Sequence, residues 1–131
     1  MKLKFVLLGI AGSLGILLIF YFSWLPDPDI GLKPYFPGWL GQWTNKNPNL
    51  RTAVPFVFVG FVSELLLNNH YSAWFKRTLL FLGLTIIVTF AELGQLLLPL
   101  RHFDIRDIAW GALGSALGIV SGFLIKKLKY R

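Results

Sequence analysis

Residues 90–118 read FAELGQLLLPLRHFDIRDIAWGALGSALG, and this stretch decides how the chain folds. It opens with an apolar run that carries Glu92 and Gln95, and it closes with a glycine-rich apolar run. Between the two runs lie four charged residues within seven positions: Arg101, Asp104, Arg106 and Asp107. Two long apolar runs joined by a short charged turn are typical of two helices that cross a membrane in opposite directions.

The composition of the whole chain agrees with this interpretation. The 131 residues are 55% hydrophobic and only 15% charged, and the mean hydropathy is +0.62. Because about a quarter of the residues in a soluble domain are charged, these values indicate an integral membrane protein. The formal net charge of +7 is typical of topology signals and contacts with anionic headgroups. No basic face is interleaved with stacking aromatic residues, so nucleic acid is not an expected partner.

Four segments are long enough to cross the bilayer, which needs about 20 mainly apolar residues per helix. They cover residues 5–25, 52–67, 79–100 and 108–125. The first is too long for a signal peptide and does not end in the small residues that cleavage requires. We therefore predict an all-α integral membrane protein, in which residues 1–131 form a single four-helix transmembrane domain.

The orientation follows from the Lys and Arg residues of the short loops, which are more numerous on the cytoplasmic side. An N-terminus inside the cell places Lys2, Lys4, Lys76, Arg77, Lys126, Lys127, Lys129 and Arg131 inside, and Lys33, Lys46, Arg51, Arg101 and Arg106 outside. We therefore predict that both termini are cytoplasmic. The outer loop 26–49 contains Pro, Gly, Asn and aromatic residues, which favour the headgroup level and disfavour a long helix.

Glu92 is the least expected residue of the third segment. It lies about 12 Å below the outer end of that helix, where a carboxylate is costly unless it is protonated, paired or hydrated. Arg101 is the nearest cation in the sequence, so we expect Glu92 and Arg101 to pair. Gln95 lies on the same helix face as Glu92. Pro99 leaves the Gln95 carbonyl without its helical partner and loosens the last turn.

Each polar residue also has a purely structural interpretation. Asp104 can cap the N-terminus of the fourth segment, with Asp107 at the position of a capping-box acid. Arg106 can be an exposed anchor, and Gln95 can bond across helices. Glu64, near the inner end of the second segment, is expected to reach the membrane interface in a structural role.

The sequence shows no set of residues at metal-ligand spacing. His70 and His102 fall on opposite sides of the predicted membrane topology, and there is no cysteine. We therefore expect no metal ion and no other cofactor. No nucleophile–base pair accompanies Glu92, so no catalytic residue is assigned.

Small residues recur along the fourth segment. They are Gly111, Gly114, Ser115, Gly118 and Gly122. Such a pattern lets a neighbouring helix approach to backbone contact. We expect this packing to hold Asp107 near Arg101 and Glu92.

Together these residues resemble the VanZ-like family of small bacterial membrane proteins. The shared pattern is E-x-x-Q, a proline and R-x-x-D-x-x-D before a glycine-spaced helix, here Glu92, Gln95, Pro99, Arg101, Asp104, Asp107, Gly114 and Gly118. Ser23 and Pro26 match the S-x-x-P that follows the first span of that family. This chain has Gly111 where the family usually has Asn. The resemblance implies a protein of the bacterial cytoplasmic membrane, with a namesake linked to glycopeptide resistance, and it implies no mechanism.

Three functions remain open at this point. The favoured one is a non-enzymatic envelope protein whose outer-leaflet pocket binds a lipid headgroup or a lipid-anchored ligand, with Arg101 pairing the anionic group. The alternative is a small accessory subunit packed against other integral membrane subunits. The least favoured is a membrane-embedded enzyme that acts on a lipid and uses Glu92 as a general base.

Overall fold

The computed structural model describes residues 2–30, 33–67 and 73–129, which contain helices joined by turns and loops and no strand. The helices are α1 (Lys2–Ser23), α2 (Gly38–Lys46), α3 (Pro48–Leu66), α4 (Ala73–Gln95) and α5 (Ile105–Lys129). Within these residues, four helices are long and apolar enough to cross a membrane: α1, α3, residues Trp74–Gln95 of α4, and α5. The prediction of an all-α protein with four candidate membrane spans is therefore confirmed.

The loop between the first two spans is more structured than predicted. Its described part contains no long helix, as expected, but the nine-residue α2 lies within it. The next helix, α3, begins at Pro48 rather than at residue 52. Proline is favourable in the first turn of a helix, because the N–H that it lacks has no helical partner there.

Helix α4 starts earlier and ends earlier than the predicted span 79–100. It ends at Gln95, and residues 96–100 form tight turns. The Gln95 carbonyl would bond the N–H of residue 99 in a continued helix, but Pro99 has none. The Leu98 N–H donates to this carbonyl instead, at 3.0 Å. The proline therefore shortens the helix by several residues.

Helices α3 and α5 run in the same direction and pack on glycines, and we call this contact the α3–α5 seam. Gly114 lies against the backbone of Ala53, and Gly118 lies against the backbone of Val57. On the α3 side, the methyl group that an alanine would add at Gly60 would lie 2.7 Å from the Ser115 carbonyl oxygen of α5. Ala53 and Val57 are four residues apart on α3, and their partners Gly114 and Gly118 are four residues apart in the same order on α5. The two helices are therefore parallel.

The other small residues of α5 have different neighbours. A methyl group at Gly122 would lie 2.9 Å from the Glu64 side chain of α3, whereas one at Gly111 would lie 2.6 Å from Val88 of α4. Ser115 is completely buried, and its hydroxyl donates to the Gly111 carbonyl at 2.9 Å. Helix α5 therefore contacts both α3 and α4 through small residues.

Helix α1 crosses over α3 and α4. Near its middle it contacts α3, where a methyl group at Gly15 would lie 2.8 Å from Val59. At its C-terminal end it contacts α4, where Trp24 Nε1 donates to the Ala91 carbonyl at 3.1 Å and the indole lies against Gly94. Only 11% of the 18-residue apolar stretch of α1 is buried within the protein, so most of this helix faces outward. The crossing leaves space under the C-terminal half of α1.

Glu64 contradicts the expectation that it reaches the membrane interface. It is completely buried at the far end of the α3–α5 seam. Arg77 of α4 donates to both carboxylate oxygens, with Nη2 at 2.7 Å from Oε1, and Lys126 Nζ of α5 lies 2.8 Å from Oε1. We call these three residues the ion cluster. Glu64 has the structural role that was expected, but the expected reach to the interface was wrong, because three helices converge on this carboxylate and supply the partners that burial requires.

Both cations of the ion cluster make further contacts. Lys126 Nζ donates to the carbonyls of Glu64 at 2.7 Å and Leu67 at 3.2 Å, where the end of α3 leaves acceptors without helical partners. The Arg77 guanidinium lies 5.5 Å from the ring centre of Trp74 and 4.5 Å from that of Phe123. The cluster therefore joins α3, α4 and α5 at this end.

We expect Gly118→Ala to destabilise the protein, because the added methyl group would overlap the Val57 carbonyl and lie 2.8 Å from the Phe61 nitrogen. The loss in free energy of unfolding should be about 1–3 kcal/mol, as for other overpacked contacts. The matched control is Gly9→Ala, since nothing lies within 4 Å of that position. Thermal unfolding in detergent micelles measures both, and equal melting temperatures would contradict the seam.

Arg77→Ala should lower the free energy of unfolding by about 3 kcal/mol, the lower end of the range for a broken buried ion pair, because Lys126 still pairs with Glu64. Lys76→Ala, one residue earlier and exposed, is the control and should change stability by less than about 0.5 kcal/mol. Denaturant unfolding in micelles compares the two variants. A similar small effect for both would show that the ion cluster does not stabilise the fold.

Candidate functional site

A cavity of about 730 Å³ lies under the C-terminal half of α1, within the size range of small-molecule sites. Its apolar part includes Ala11, Leu14, Leu18, Phe22, Val54, Phe58 and Val88. Its polar end is formed by Arg51, Thr52, Glu92, Gln95, Arg101, His102, Asp104 and Asp107. Five of these eight polar residues are those predicted as a polar cluster, and the structure brings all five to one end of this cavity.

The cavity is open sideways between α1 and α3. Leu14 and Leu18 of α1 and Val54 and Phe58 of α3 line it, yet each is between 48% and 54% exposed. An apolar side chain that lines a cavity and also contacts the surroundings marks an edge of the opening.

Arg101 fastens the end of α1 to the connector between α4 and α5, residues 96–104. Its Nε donates to the Leu25 carbonyl at 2.9 Å, and its Nη2 donates to the carbonyls of Phe22 at 3.0 Å and Asp27 at 3.4 Å. A cation is favourable at a helix C-terminus, where carbonyls lack helical partners. Arg101 therefore fixes one wall of the cavity.

The expected ion pair between Glu92 and Arg101 is wrong. Among residues 2–30, 33–67 and 73–129, no N···O contact within 4.0 Å joins a charged group of Glu92 to one of Arg101. Arg101 is nearest to Glu92 in the sequence, but the carbonyls at the end of α1 accept three of its five N–H groups.

Glu92 instead links α4 to the start of α5. It is 3% exposed, and its oxygens accept hydrogen bonds from Gln95 Nε2 at 3.3 Å and from the Asp104 backbone N–H at 3.4 Å. The Gln95 bond stays within α4 and does not cross between helices. Accepting the N–H of the capping residue is the role that a capping-box acid plays, so Glu92 fills the role that we predicted for Asp107.

Asp104 caps α5 as its structural interpretation proposed. It immediately precedes Ile105, and its Oδ1 accepts the Arg106 backbone N–H at 2.9 Å. The Arg106 side chain is exposed and does not line the cavity. Asp104 thus has a capping role and also lines the polar end.

The Asp107 carboxylate has neighbours on α3 as well as at the start of its own helix. Its carboxylate is next to the Thr52 hydroxyl and close to Arg51, and Glu92 is a further neighbour. Because α3 and α5 are parallel, the seam brings the first turn of α5 beside the first turns of α3. Arg51 and Thr52 were not predicted as site residues, since a cation at the edge of a span was counted only as a topology signal.

Arg51 and Arg101 form the positive side of the polar end. Arg51 Nη1 donates to the Pro28 carbonyl at 3.1 Å. Burial lowers the pKa of Arg101 from its ordinary value, and the positive charge of Arg51 acts in the same direction. Arg101 donates to the carbonyl of Asp27, the residue before Pro28, so the two guanidinium groups are neighbours and repel each other.

Charges of both signs meet here without pairing. Within the described part of the chain, the ion pairs shorter than 4.0 Å all involve Glu64, and none joins Arg51 or Arg101 to a carboxylate of the cavity. The same part of the chain holds no group of three or more His, Cys, Asp or Glu residues that could hold a metal ion. His102 lines the cavity and is exposed, and His70 lies outside the described residues.

Arg101→Ala should loosen the end of α1, because three carbonyl groups would lose a charged donor. Hydrogen exchange of the amides in residues 20–30 should become at least about tenfold faster, since a hydrogen bond to a charged group contributes about 1.5–3 kcal/mol. Arg106→Ala is the control, as this exposed side chain lies outside the cavity. Unchanged exchange in Arg101→Ala would contradict the fastening role.

The chain matches no protein-family model, no curated protein and no solved structure. The likeness of residues 90–118 to the VanZ-like family therefore stays a prediction that depends on the residues quoted for it. The described residues form a helical chain with four candidate membrane spans and a charged cavity at one end.

Proposed function

We propose that this protein binds an amphipathic lipid, or a ligand anchored by a lipid chain, in the cavity under α1, and that it does not act as an enzyme. One observation carries the proposal: a single cavity joins a charged end to an apolar part that opens sideways between two candidate membrane helices. Such a shape suits a molecule with a polar headgroup and a hydrocarbon chain.

The length of the apolar part supports this proposal. Its lining on α1 runs from Phe22 to Ala11, which is about 17 Å along the helix axis. That is about half of the roughly 30 Å hydrocarbon thickness of a bilayer. A ligand with its headgroup at the polar end would therefore extend its chain toward the middle of the membrane.

The distribution of basic residues supports an outer-leaflet position in a bacterial cytoplasmic membrane. The end that holds the ion cluster also carries the exposed Lys76, Lys127 and Lys129. An excess of lysine and arginine favours the cytoplasmic side, so the opposite, polar end would face outward. The resemblance of residues 90–118 to a bacterial envelope family agrees with this location.

A second candidate is an accessory subunit of a larger membrane complex. The observation that favours it is the exposure of α1. Only 11% of the apolar stretch of α1 is buried within the protein, whereas 33% of the corresponding stretch is buried in α3 and in α5. Another membrane protein could cover this face as well as lipid does. Purification in mild detergent distinguishes the two, since a subunit would co-elute with stoichiometric partners and a lipid-binding protein would elute alone with bound lipid.

Val54→Trp should weaken lipid binding, because a larger side chain at the edge of the opening would obstruct the apolar part. The affinity should fall about tenfold, or about 1.4 kcal/mol, which corresponds to about two CH₂ groups kept out of the cavity. The control is Val6→Trp, since Val6 is similarly exposed, at 55% against 50%, and does not line the cavity. Native mass spectrometry of lipid-bound protein measures both, and equal lipid retention would reject the cavity as the binding site.

A further inference from the structure

We propose that the ligand is a phospholipid whose headgroup carries a primary ammonium beside its phosphate, with the phosphate at Arg51 and Arg101 and the ammonium at the carboxylates of α4 and α5. This inference rests on the proposed function and names the class of lipid for the same cavity. It depends on the arrangement of charges at the polar end.

The negative side of the polar end has acceptors to spare. It consists of Glu92, Asp104 and Asp107, and ionised carboxylates accept hydrogen bonds without donating any. The two bonds that Glu92 accepts are long, at 3.3 and 3.4 Å. A primary ammonium has three N–H donors and one positive charge, so it supplies what these neighbouring carboxylates lack.

The positive side has donors to spare. The hydrogen bond of Arg51 to Pro28 uses only Nη1, and a guanidinium group has five N–H donors. Arg101 retains its Nη1 group after its bonds to the end of α1. An anion between the two guanidinium groups would offset their mutual repulsion, and phosphate oxygens fit the paired N–H groups of arginine.

Other common headgroups satisfy only part of this arrangement. A phosphatidylglycerol headgroup brings a phosphate but supplies no cation of its own to the three carboxylates. A phosphatidylcholine headgroup brings a positive charge, but its quaternary ammonium has no N–H to donate. Glu92 is buried and Asp107 is partly buried, and such charges are costly when they remain unpaired, so a headgroup with both a phosphate and a primary ammonium is the best match.

The test compares lipids that differ only in the headgroup. Delipidated protein in detergent is mixed with phosphatidylethanolamine, phosphatidylcholine or phosphatidylglycerol of identical acyl chains, and bound lipid is measured by native mass spectrometry. Phosphatidylethanolamine should bind at least about tenfold more tightly than either of the others, which is the effect of one charge-assisted hydrogen bond. Soluble phosphoethanolamine should not displace it, because it has no chain for the apolar part.

Two variants separate the contributions of the headgroup. Asp107→Asn should weaken phosphatidylethanolamine more than phosphatidylcholine and so reduce the preference for ethanolamine, because only the primary ammonium donates hydrogen bonds to this carboxylate. Arg51→Gln should weaken both lipids by a similar factor, since both contain the phosphate. Arg106→Gln is the matched control, because this arginine is exposed outside the cavity, and it should behave as the wild-type protein does.

The outcomes distinguish this inference from the proposed function. Equal binding of the three lipids, or tightest binding of phosphatidylglycerol, would overturn the headgroup assignment and leave the lipid-binding function standing. Displacement by soluble phosphoethanolamine would overturn the assignment to a lipid. If no lipid binds to the wild-type protein, both the inference and the proposed function fail.

Discussion

The parallel contact between α3 and α5 is the constraint on which the rest of the structure depends. Glycines let the two backbones touch, and this sets the register of one helix against the other. At one end the register brings Asp107 beside Arg51 and Thr52, and at the other end it brings Lys126 onto Glu64. Helix α1 adds little buried surface of its own, but its crossing over α3 and α4 turns a surface groove into a cavity.

The two ends of the helix bundle use charge in different ways. In the ion cluster, each charged group has a partner from another helix, and the result is a closed and fully paired contact. At the polar end, Arg101 is occupied mostly by carbonyls, and Glu92 is held by an amide and a glutamine side chain. Charges that are kept close but unpaired are costly for the fold, and such sites are where proteins bind charged ligands.

Hydropathy and loop composition were sufficient to predict the four candidate spans, because the length of an apolar run is a property of the local sequence. The early end of α4 was also predictable in kind, since the missing N–H of Pro99 acts locally. Pairing was not predictable in the same way. Arg101 is near Glu92 in sequence, but carbonyls from α1 compete for it, and Lys126 reaches Glu64 across 62 residues of chain. The glycine spacing showed that one face of α5 consists of small residues, but it did not show which helix would pack against that face.

The ion cluster has a consequence for the order in which the chain can be inserted into a membrane during synthesis. Glu64 leaves the ribosome long before Lys126, so α3 carries a carboxylate into the bilayer while one of its two cations has not yet been made. Arg77 follows only thirteen residues later and binds both carboxylate oxygens. A hairpin of α3 and α4 can therefore neutralise this acid early, and α5 can then complete an assembly whose most costly charge is already compensated.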